Sequence, residues 1–267
     1  MERELKGALT AALKAGREVM EVYAGKDLTS WSKEDKSPLT EADLRSHSVI
    51  VKELSGFGYP ILSEEGKDIP YQERKGWKRF WLIDPLDGTK EFLKRNGEFT
   101  VNIALVEDGR PVMGVVYAPA LELLYFATPD GAYRVEGALP ELPLEEIFKR
   151  AELLPSVPPE EGKIRVVASR SHLSKETEEF VERLKERGEV DFLSVGSSLK
   201  LCFVAEGKAD VYPRYAPTME WDTAAGQAVV EASGGKVLEA ETLKPLVYNK
   251  ENLLNPYFIA LRRGYEL

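Results

Sequence analysis

Residues 80–92, Phe80-Trp81-Leu82-Ile83-Asp84-Pro85-Leu86-Asp87-Gly88-Thr89-Lys90-Glu91-Phe92, constrain this chain more than any other stretch. Four consecutive apolar residues, two of them aromatic, predict a short strand buried on both faces, which holds rigidly whatever follows it. Two carboxylates follow. Along a straight strand, side chains three apart point to opposite faces, so Asp84 and Asp87 converge only if the chain turns between them. Pro85 is expected to supply that turn by fixing φ and ending the ladder. Gly88 lets a ligand approach the backbone closely, and Thr89 adds a hydroxyl beside exposed N–H groups. Two converged carboxylates repel, and at neutral pH a hard divalent cation with oxygen ligands, Mg²⁺ first, relieves them. Taken alone, Asp-Gly after a strand favours a plainer reading, a β-turn with solvated Asp side chains.

The rest of the composition narrows the function classes. With 267 residues the chain can bury a core as one large domain or two modest ones, and 43% apolar with 30% charged residues is ordinary globular composition. A formal charge of -9 argues against a nucleic-acid surface, so a nucleotide ligand should be small and metal-assisted. The single cysteine, Cys202, excludes an intrachain disulfide and fits a reducing compartment. No apolar run has the length of a membrane span, and Met1-Glu2-Arg3-Glu4 is unlike a signal peptide, so a cytoplasmic location is expected. Five Asn and two Gln against 36 Lys plus Arg and 45 Asp plus Glu is a bias of heat-adapted proteins, and a thermophilic source is expected.

In chain order, Leu5, Ala8, Leu9, Ala12, Leu13, Gly16, Val19, Met20 and Tyr23 recur at helical spacing and predict an amphipathic first helix. Thr40 and Asp43 stand in capping-box positions at the start of a second. His47, within that helix, is assigned no role. Residues 67–78 are charged and contain proline, which predicts a surface loop able to cover the site. Phe99–Val106, Pro111–Tyr117 and Leu123–Thr128 form an expected antiparallel meander, turned at Glu107-Asp108-Gly109-Arg110. Residues 137–162 hold five of the sixteen prolines and many acids, with weak helical character around Leu144–Leu153, and place a domain boundary near Gly162. Residues 1–162 would then be an α+β unit with the metal site, and 163–267 an α/β unit for the substrate. In the latter, strands Ile164–Ala168, Val190–Val195 and Asp210–Arg214 alternate with helices at Ser174–Arg187 and from Ser197.

The full string Asp84-Pro85-Leu86-Asp87-Gly88-Thr89 resembles the signature of the inositol monophosphatase superfamily of metal-dependent phosphatases. Its extension, Lys90 through Gly97-Glu98-Phe99 to Leu105, is similar to the CysQ-type 3′(2′),5′-bisphosphate nucleotidases in particular. Tyr59-Pro60-Ile61-Leu62-Ser63-Glu64-Glu65-Gly66 and Pro217-Thr218-Met219-Glu220-Trp221-Asp222-Thr223-Ala224-Ala225-Gly226 resemble the second and third motifs of the superfamily. The resemblance implies a layered α-β-α-β-α sandwich of mixed α+β class, in two subdomains. It implies that Glu64, Asp84, Asp87, Asp222 and the carbonyl of Leu86 hold two or three Mg²⁺. Glu65 would lie near the nucleophilic water, and Asp43, besides capping its helix, would orient Thr89. Lithium would inhibit. On the residues alone, the Glu64-Glu65 pair before glycine also fits a solvated loop, and Asp222 fits a helix N-cap or a place where a phosphate docks.

Substrate choice is expected in the second half. There Ser169-Arg170-Ser171-His172, Gly196-Ser197-Ser198-Leu199-Lys200 and Tyr212-Pro213-Arg214 resemble segments that contact 3′-phosphoadenosine 5′-phosphate in the nucleotidases. A second phosphate needs cationic and hydroxyl donors away from the metals, and His172, Ser197, Lys200 and Arg214 supply them, while Gly88 and Thr89 serve the scissile phosphate with Glu64, Leu86, Asp87 and Asp222. Ser197 also fits a helix cap, and the basic residues fit surface ion pairs. The implied activity is a nucleotidase that clears a by-product of sulfate assimilation. Inositol 1-phosphatase or fructose 1,6-bisphosphatase activity is the alternative within the superfamily, and a non-catalytic ligand sensor the alternative outside it.

Overall fold

The computed structural model describes residues 1–25, 30–32, 38–168 and 174–267. Helix α1 (Glu2–Tyr23) buries Leu5, Ala8, Leu9, Ala12, Ala15 and Val19 on the stripe its periodicity predicts. Strands β1 (Ser30–Ser32) and β2 (Pro38–Thr40) pair as a small antiparallel ribbon. Helix α2 (Glu41–Leu54) opens on the expected capping box, in which the Thr40 N–H donates to Asp43 Oδ2 at 2.7 Å. Both helices lie on one face of a seven-stranded sheet.

That sheet runs in the order β3 (Ile61–Ser63), β4 (Arg79–Asp87), β5 (Thr100–Glu107), β6 (Arg110–Ala118), β7 (Leu123–Thr128), β8 (Gly131–Glu136) and β9 (Glu152–Leu153). Strand β3 is parallel to β4 and every later pairing is antiparallel, so the expected antiparallel run gains three further strands, β4, β8 and β9. Short helices α3 (Tyr71–Arg74), α4 (Thr89–Leu93) and α5 (Leu144–Arg150) fall in the connections. The loop at 67–78 lies at the surface, as expected. Its Arg74 is 3% exposed and donates to Asn249 Oδ1 and to the carbonyls of Lys250 and Glu251, which pins the loop to the C-terminal segment. A buried guanidinium needs such acceptors, and these anchor α3.

The remaining strands form a second sheet, β11-β10-β12-β14-β13, from β10 (Lys163–Ala168), β11 (Glu189–Ser194), β12 (Val211–Arg214), β13 (Lys236–Glu239) and β14 (Phe258–Leu261). Helices α6 (Lys175–Lys185), α7 (Leu199–Glu206) and α8 (Glu220–Ala232) complete the fold. Strand β4 shows why the layers stack. Its side chains alternate, so Trp81 and Ile83 join α1 and α2 in one apolar cluster, while Phe80 and Leu82 join α7, α8 and the inner face of the second sheet in another. The outer face of the second sheet, through Ile164, Val166, Val211 and Ile259, packs on Phe180, Val181 and Leu184 of α6. The result is the expected α-β-α-β-α sandwich, with α7 and α8 as its middle layer. Among the described residues no helix is long and apolar enough to cross a membrane.

Candidate active site

The two carboxylates of the central motif converge through a bulge rather than a terminating turn. Asp84 pairs with Asn102 and Asp87 with Thr100, so β4 advances three residues while β5 advances two. Pro85 was expected to end the ladder; instead one extra residue is accommodated and pairing resumes at Asp87. The insertion reverses the alternation, and side chains three apart come to one face. Strand β4 continues because the carbonyl of Pro85 finds a partner in Ser46 Oγ at 2.7 Å and the Leu86 N–H donates to Asp84 Oδ1 at 3.1 Å. Gly88 follows at φ +89°, and a Cβ there would meet Glu98 O and Ser197 Cβ at 3.2 Å each. Only glycine turns the chain from β4 into α4 in that space.

Helix α8 delivers the third acid. Asp222 is in its first turn and accepts the Met219 N–H at 2.8 Å, and carboxylate oxygens of Asp84, Asp87 and Asp222 lie within 4.8 Å of one another. Burial, then repulsion from Glu64, Asp87 and Asp222, pushes the Asp84 carboxyl well above the usual carboxylate range. Asp222 is pushed up by burial and then by Asp87. Burial also raises Asp87, although hydrogen bonding from Ser198 and the charge of Lys200 oppose it. The donor set fits Mg²⁺: three converging carboxylates destabilised as anions by one another, with only oxygen ligands, call for a hard cation.

Around this trio the other motif residues fall into place by short connections. Thr89 Oγ1 stands 3.4 Å from both Asp43 Oδ1 and the Leu86 carbonyl. Asp43 is 1% exposed, and its Oδ2 accepts both the N–H and the hydroxyl of Thr40, at 2.7 and 2.5 Å, so capping and Thr89 contact use different oxygens. Glu64 and Glu65 are half-buried at the end of β3, where the Glu64 N–H donates to the Ile83 carbonyl at 3.3 Å. His47 turns out to have a place here: its Nδ1 lies 2.9 Å from Ser63 Oγ, one residue before Glu64. Asp43, Ser46 and His47 are spaced i, i+3, i+4 on α2, and that one-face spacing was the available signal for a shared role.

A cleft of about 350 Å³ opens beside the trio, lined by Asp87, Gly88, Lys90, Glu91, Lys94, Ser197, Ser198, Lys200, Tyr212, Arg214, Thr218 and Asp222 among others. Ser197, Lys200 and Arg214 of the expected substrate set are therefore gathered with Asp87, Gly88 and Asp222. His172 lies outside the described residues. Lys200 is 8% exposed, and burial lowers its pKa while Asp87 holds it up; its Nζ donates to the Ser197 carbonyl at 3.2 Å. Ser197 Oγ and Arg214 Nε are buried without a protein partner, donors that a ligand in the cleft can use. Helix α7 starts at Leu199 with Ser198 as its N-cap, not at Ser197, because Ser197 adopts φ +51°. Ser198 was not singled out from sequence, yet its Oγ lies 2.7 Å from Asp87 Oδ2 and 2.8 Å from the Asp222 carbonyl, and accepts from Asn102 Nδ2 at 2.7 Å. It ties the acids contributed by β4 and α8 together.

The profile of the inositol monophosphatase family matches residues 1–260. The 3′(2′),5′-bisphosphate nucleotidase CysQ of Salmonella typhimurium is 46% identical over 252 residues, covering 92% of this chain and 95% of that protein. CysQ of Haemophilus influenzae is 34% identical, over 97% of this chain and 92% of that one. Among solved structures, CysQ from Bacteroides thetaiotaomicron superposes with a TM-score of 0.90 at 48% identity, covering 100% of this chain and 99% of that chain. An inositol monophosphatase of Thermotoga maritima gives 0.69 at 25% identity, over 98% and 92% of the two chains. With the family's profile along nearly its whole length and the same layered fold as these relatives, the chain belongs to the inositol monophosphatase family.

Proposed function

We propose that the protein is a Mg²⁺-dependent 3′(2′),5′-bisphosphate nucleotidase that converts 3′-phosphoadenosine 5′-phosphate to AMP and phosphate. The observation that carries this reading is one cleft that holds both the acidic trio and the buried donors Ser197, Lys200 and Arg214. A bisphosphate needs both: cations between the scissile phosphate and the acids, and protein donors for the phosphate that stays. CysQ of Salmonella typhimurium, 46% identical, is named a 3′(2′),5′-bisphosphate nucleotidase, and CysQ from Bacteroides thetaiotaomicron, 48% identical, is described as a bacterial member of the inositol monophosphatase family.

Glu64, Asp84, Asp87, Asp222 and the Leu86 carbonyl would hold two or three Mg²⁺, which supply charge neutralisation and Lewis acidity toward the attacking and leaving oxygens. Thr89 Oγ1 donates to Asp43 Oδ1, which leaves its lone pairs to accept a hydrogen bond from the attacking water. The water proton passes to Thr89 Oγ1 as the hydroxyl proton moves toward Asp43, and Glu65 aligns the same water. A P–O bond forms to the water oxygen, the P–O bond to the ribose 3′-oxygen breaks, and that oxygen takes a proton from solvent. The N–H groups of Gly88 and Thr89 hold phosphoryl oxygens, and Ser197, Lys200 and Arg214 hold the 5′-phosphate.

The test is phosphate release from 3′-phosphoadenosine 5′-phosphate, inositol 1-phosphate and fructose 1,6-bisphosphate in parallel, with Mg²⁺, with EDTA and with added Li⁺. The expected result is Mg²⁺-dependent, Li⁺-inhibited preference for the nucleotide. Preference for either sugar phosphate would keep the metal site and overturn the substrate assignment. Release from none of the three would point to a ligand-sensing protein.

A further inference from the structure

Glu98 belongs to the stretch that follows the metal loop, and none of the chemical steps above uses it. It is nonetheless held with unusual care. The chain reaches it through Arg95 at φ +56° and Gly97 at φ +79°, and the Glu98 N–H is taken by Asn96 Oδ1 at 2.9 Å. On either side, Phe92 and Phe99 are fully buried, pack edge-on against each other and contact Tyr23, Phe99 edge-on and Phe92 tilted, with ring centroids 4.9–5.2 Å apart. A carboxylate mounted on so fixed a loop costs backbone and desolvation energy, which a merely solvated side chain would not require.

Its carboxylate reaches the other half of the chain, beside the cleft residues Glu91 and Ser197. Glu98 Oε2 accepts the Gly196 N–H at 2.9 Å, 98 residues away in sequence. The fit there is tight: a Cβ on Gly196 would lie 2.7 Å from Glu98 O and 2.8 Å from Glu91 Cγ. Gly196 immediately precedes Ser197, whose positive φ is unfavourable for a residue with a side chain and therefore needs an external constraint. From Ser197 the chain gives one carbonyl to Lys200 Nζ, a buried hydroxyl with no protein partner, and then Ser198 on Asp87. The hydrogen bond that Gly196 donates to Glu98 is thus the fixed end of the turn that displays the cleft's second-phosphate donors.

We propose that Glu98 is a positioning residue that sets specificity, gripping the Gly196 N–H so that Ser197 and Lys200 stand ready for the substrate's second phosphate. The proposal rests on the nucleotidase reading for its substrate, and on the structure alone for the grip. A carboxylate so near an anion subsite would by itself repel the ligand, so its use here is the strong charge-assisted bond it accepts from a backbone N–H.

The experiment compares the full chain with Glu98→Ala and Glu98→Gln by two readouts. In amide hydrogen exchange, the peptide spanning Gly196–Lys200 should exchange about tenfold faster or more in Glu98→Ala and at the wild-type rate in Glu98→Gln, whose amide oxygen accepts the same N–H. In steady-state kinetics with Mg²⁺, Glu98→Ala should raise KM for 3′-phosphoadenosine 5′-phosphate by about 10- to 100-fold with kcat within about threefold, and Glu98→Gln should restore most of it. Against 3′-AMP, which lacks only the second phosphate, kcat/KM should change by less than about threefold. Unchanged exchange in Glu98→Ala, equal losses on both substrates, or no rescue by glutamine would each overturn the proposal. Wild-type inactivity on the bisphosphate would instead overturn the nucleotidase reading, and the exchange arm would still decide the grip. Should Glu98→Ala fail to fold, Glu98→Asp, charged but one methylene short of Gly196, carries the same two readouts with the alanine expectation.

Discussion

Asp84 and Asp210 are each 1% exposed, and their environments are opposites. At Asp210, just before β12, burial pushes the carboxyl up, but hydrogen bonds from the Arg165 side chain and N–H and from Arg262 more than offset it, leaving it below the usual range. At Asp84 burial is compounded by three further acids, and the carboxyl is driven well above that range. The same residue type at the same depth is satisfied in one place and frustrated in the other. Buried charge is tolerated when its partner is built in, and at the acidic trio the partner has to come from outside. Strand β12 links the two, with Asp210 before one end and Arg214 entering the cleft at the other.

Breaking the frustrated side should cost chemistry and spare the fold. In Asp84→Asn the amide oxygen can still accept the Leu86 N–H, and one of the mutually repelling charges is gone. We expect kcat to fall at least about a thousandfold, with thermal stability in EDTA unchanged or raised. An active Asp84→Asn enzyme would remove the metal reading of the trio. Breaking the satisfied side should do the reverse. Asp210→Ala leaves Arg165 and Arg262 without their buried counter-ion, at a cost of about 3 kcal/mol and a midpoint lower by about 6–12 °C, with kcat per folded molecule preserved at 25 °C. Thermal unfolding beside steady-state rates on the same preparation separates the two outcomes; a midpoint shift below about 2 °C would mean that solvent already carries much of the pair.

How far each region could be read from sequence follows from the range of its interactions. Strand β4, the Thr40–Asp43 cap and the hairpin at Asp108-Gly109 were legible because burial periodicity and capping act over a few residues, whereas the layer order came only through resemblance. Pro85 was misread because proline commonly ends ladders, and nothing local says that pairing resumes after it. The start of α7 was misplaced by one serine, since Ser197 and Ser198 have equal capping propensity and nothing local in the sequence says that Ser197 adopts a positive φ. Ser198 on Asp87 and Arg74 on Asn249 span 111 and 175 residues, and no spacing rule reaches that far. The motif residues of the site were named through resemblance, whereas their hydrogen-bonded supports needed coordinates.

Adding Mg²⁺ sharpens the contrast without a mutation. At 100 times its Kd, a cation that binds only the folded chain stabilises it by about 2.7 kcal/mol, roughly 5–11 °C for a domain of this size. The shift should survive in Asp210→Ala and shrink in Asp84→Asn. A shift of equal size in Asp84→Asn would place the cation elsewhere on this acidic surface.

The smallest expected effect is in the pH dependence, where the two sites differ in sign. Asp210 has a folded pKa below its unfolded value of about 3.9, so its stabilisation is complete above that value and is lost as pH falls through the folded one. Asp84 and Asp222 are raised, so their ionisation penalises the metal-free fold as pH climbs from about 4 through their folded values. Melting midpoints in EDTA should therefore show an acid-side loss that Asp210→Ala flattens, and a decline toward neutral pH that Asp84→Asn flattens. Saturating Mg²⁺ should remove only the second slope, because a bound cation stabilises the carboxylate forms and takes their pKa values back down. A neutral-side decline that persists in Mg²⁺ would assign it to groups outside the trio.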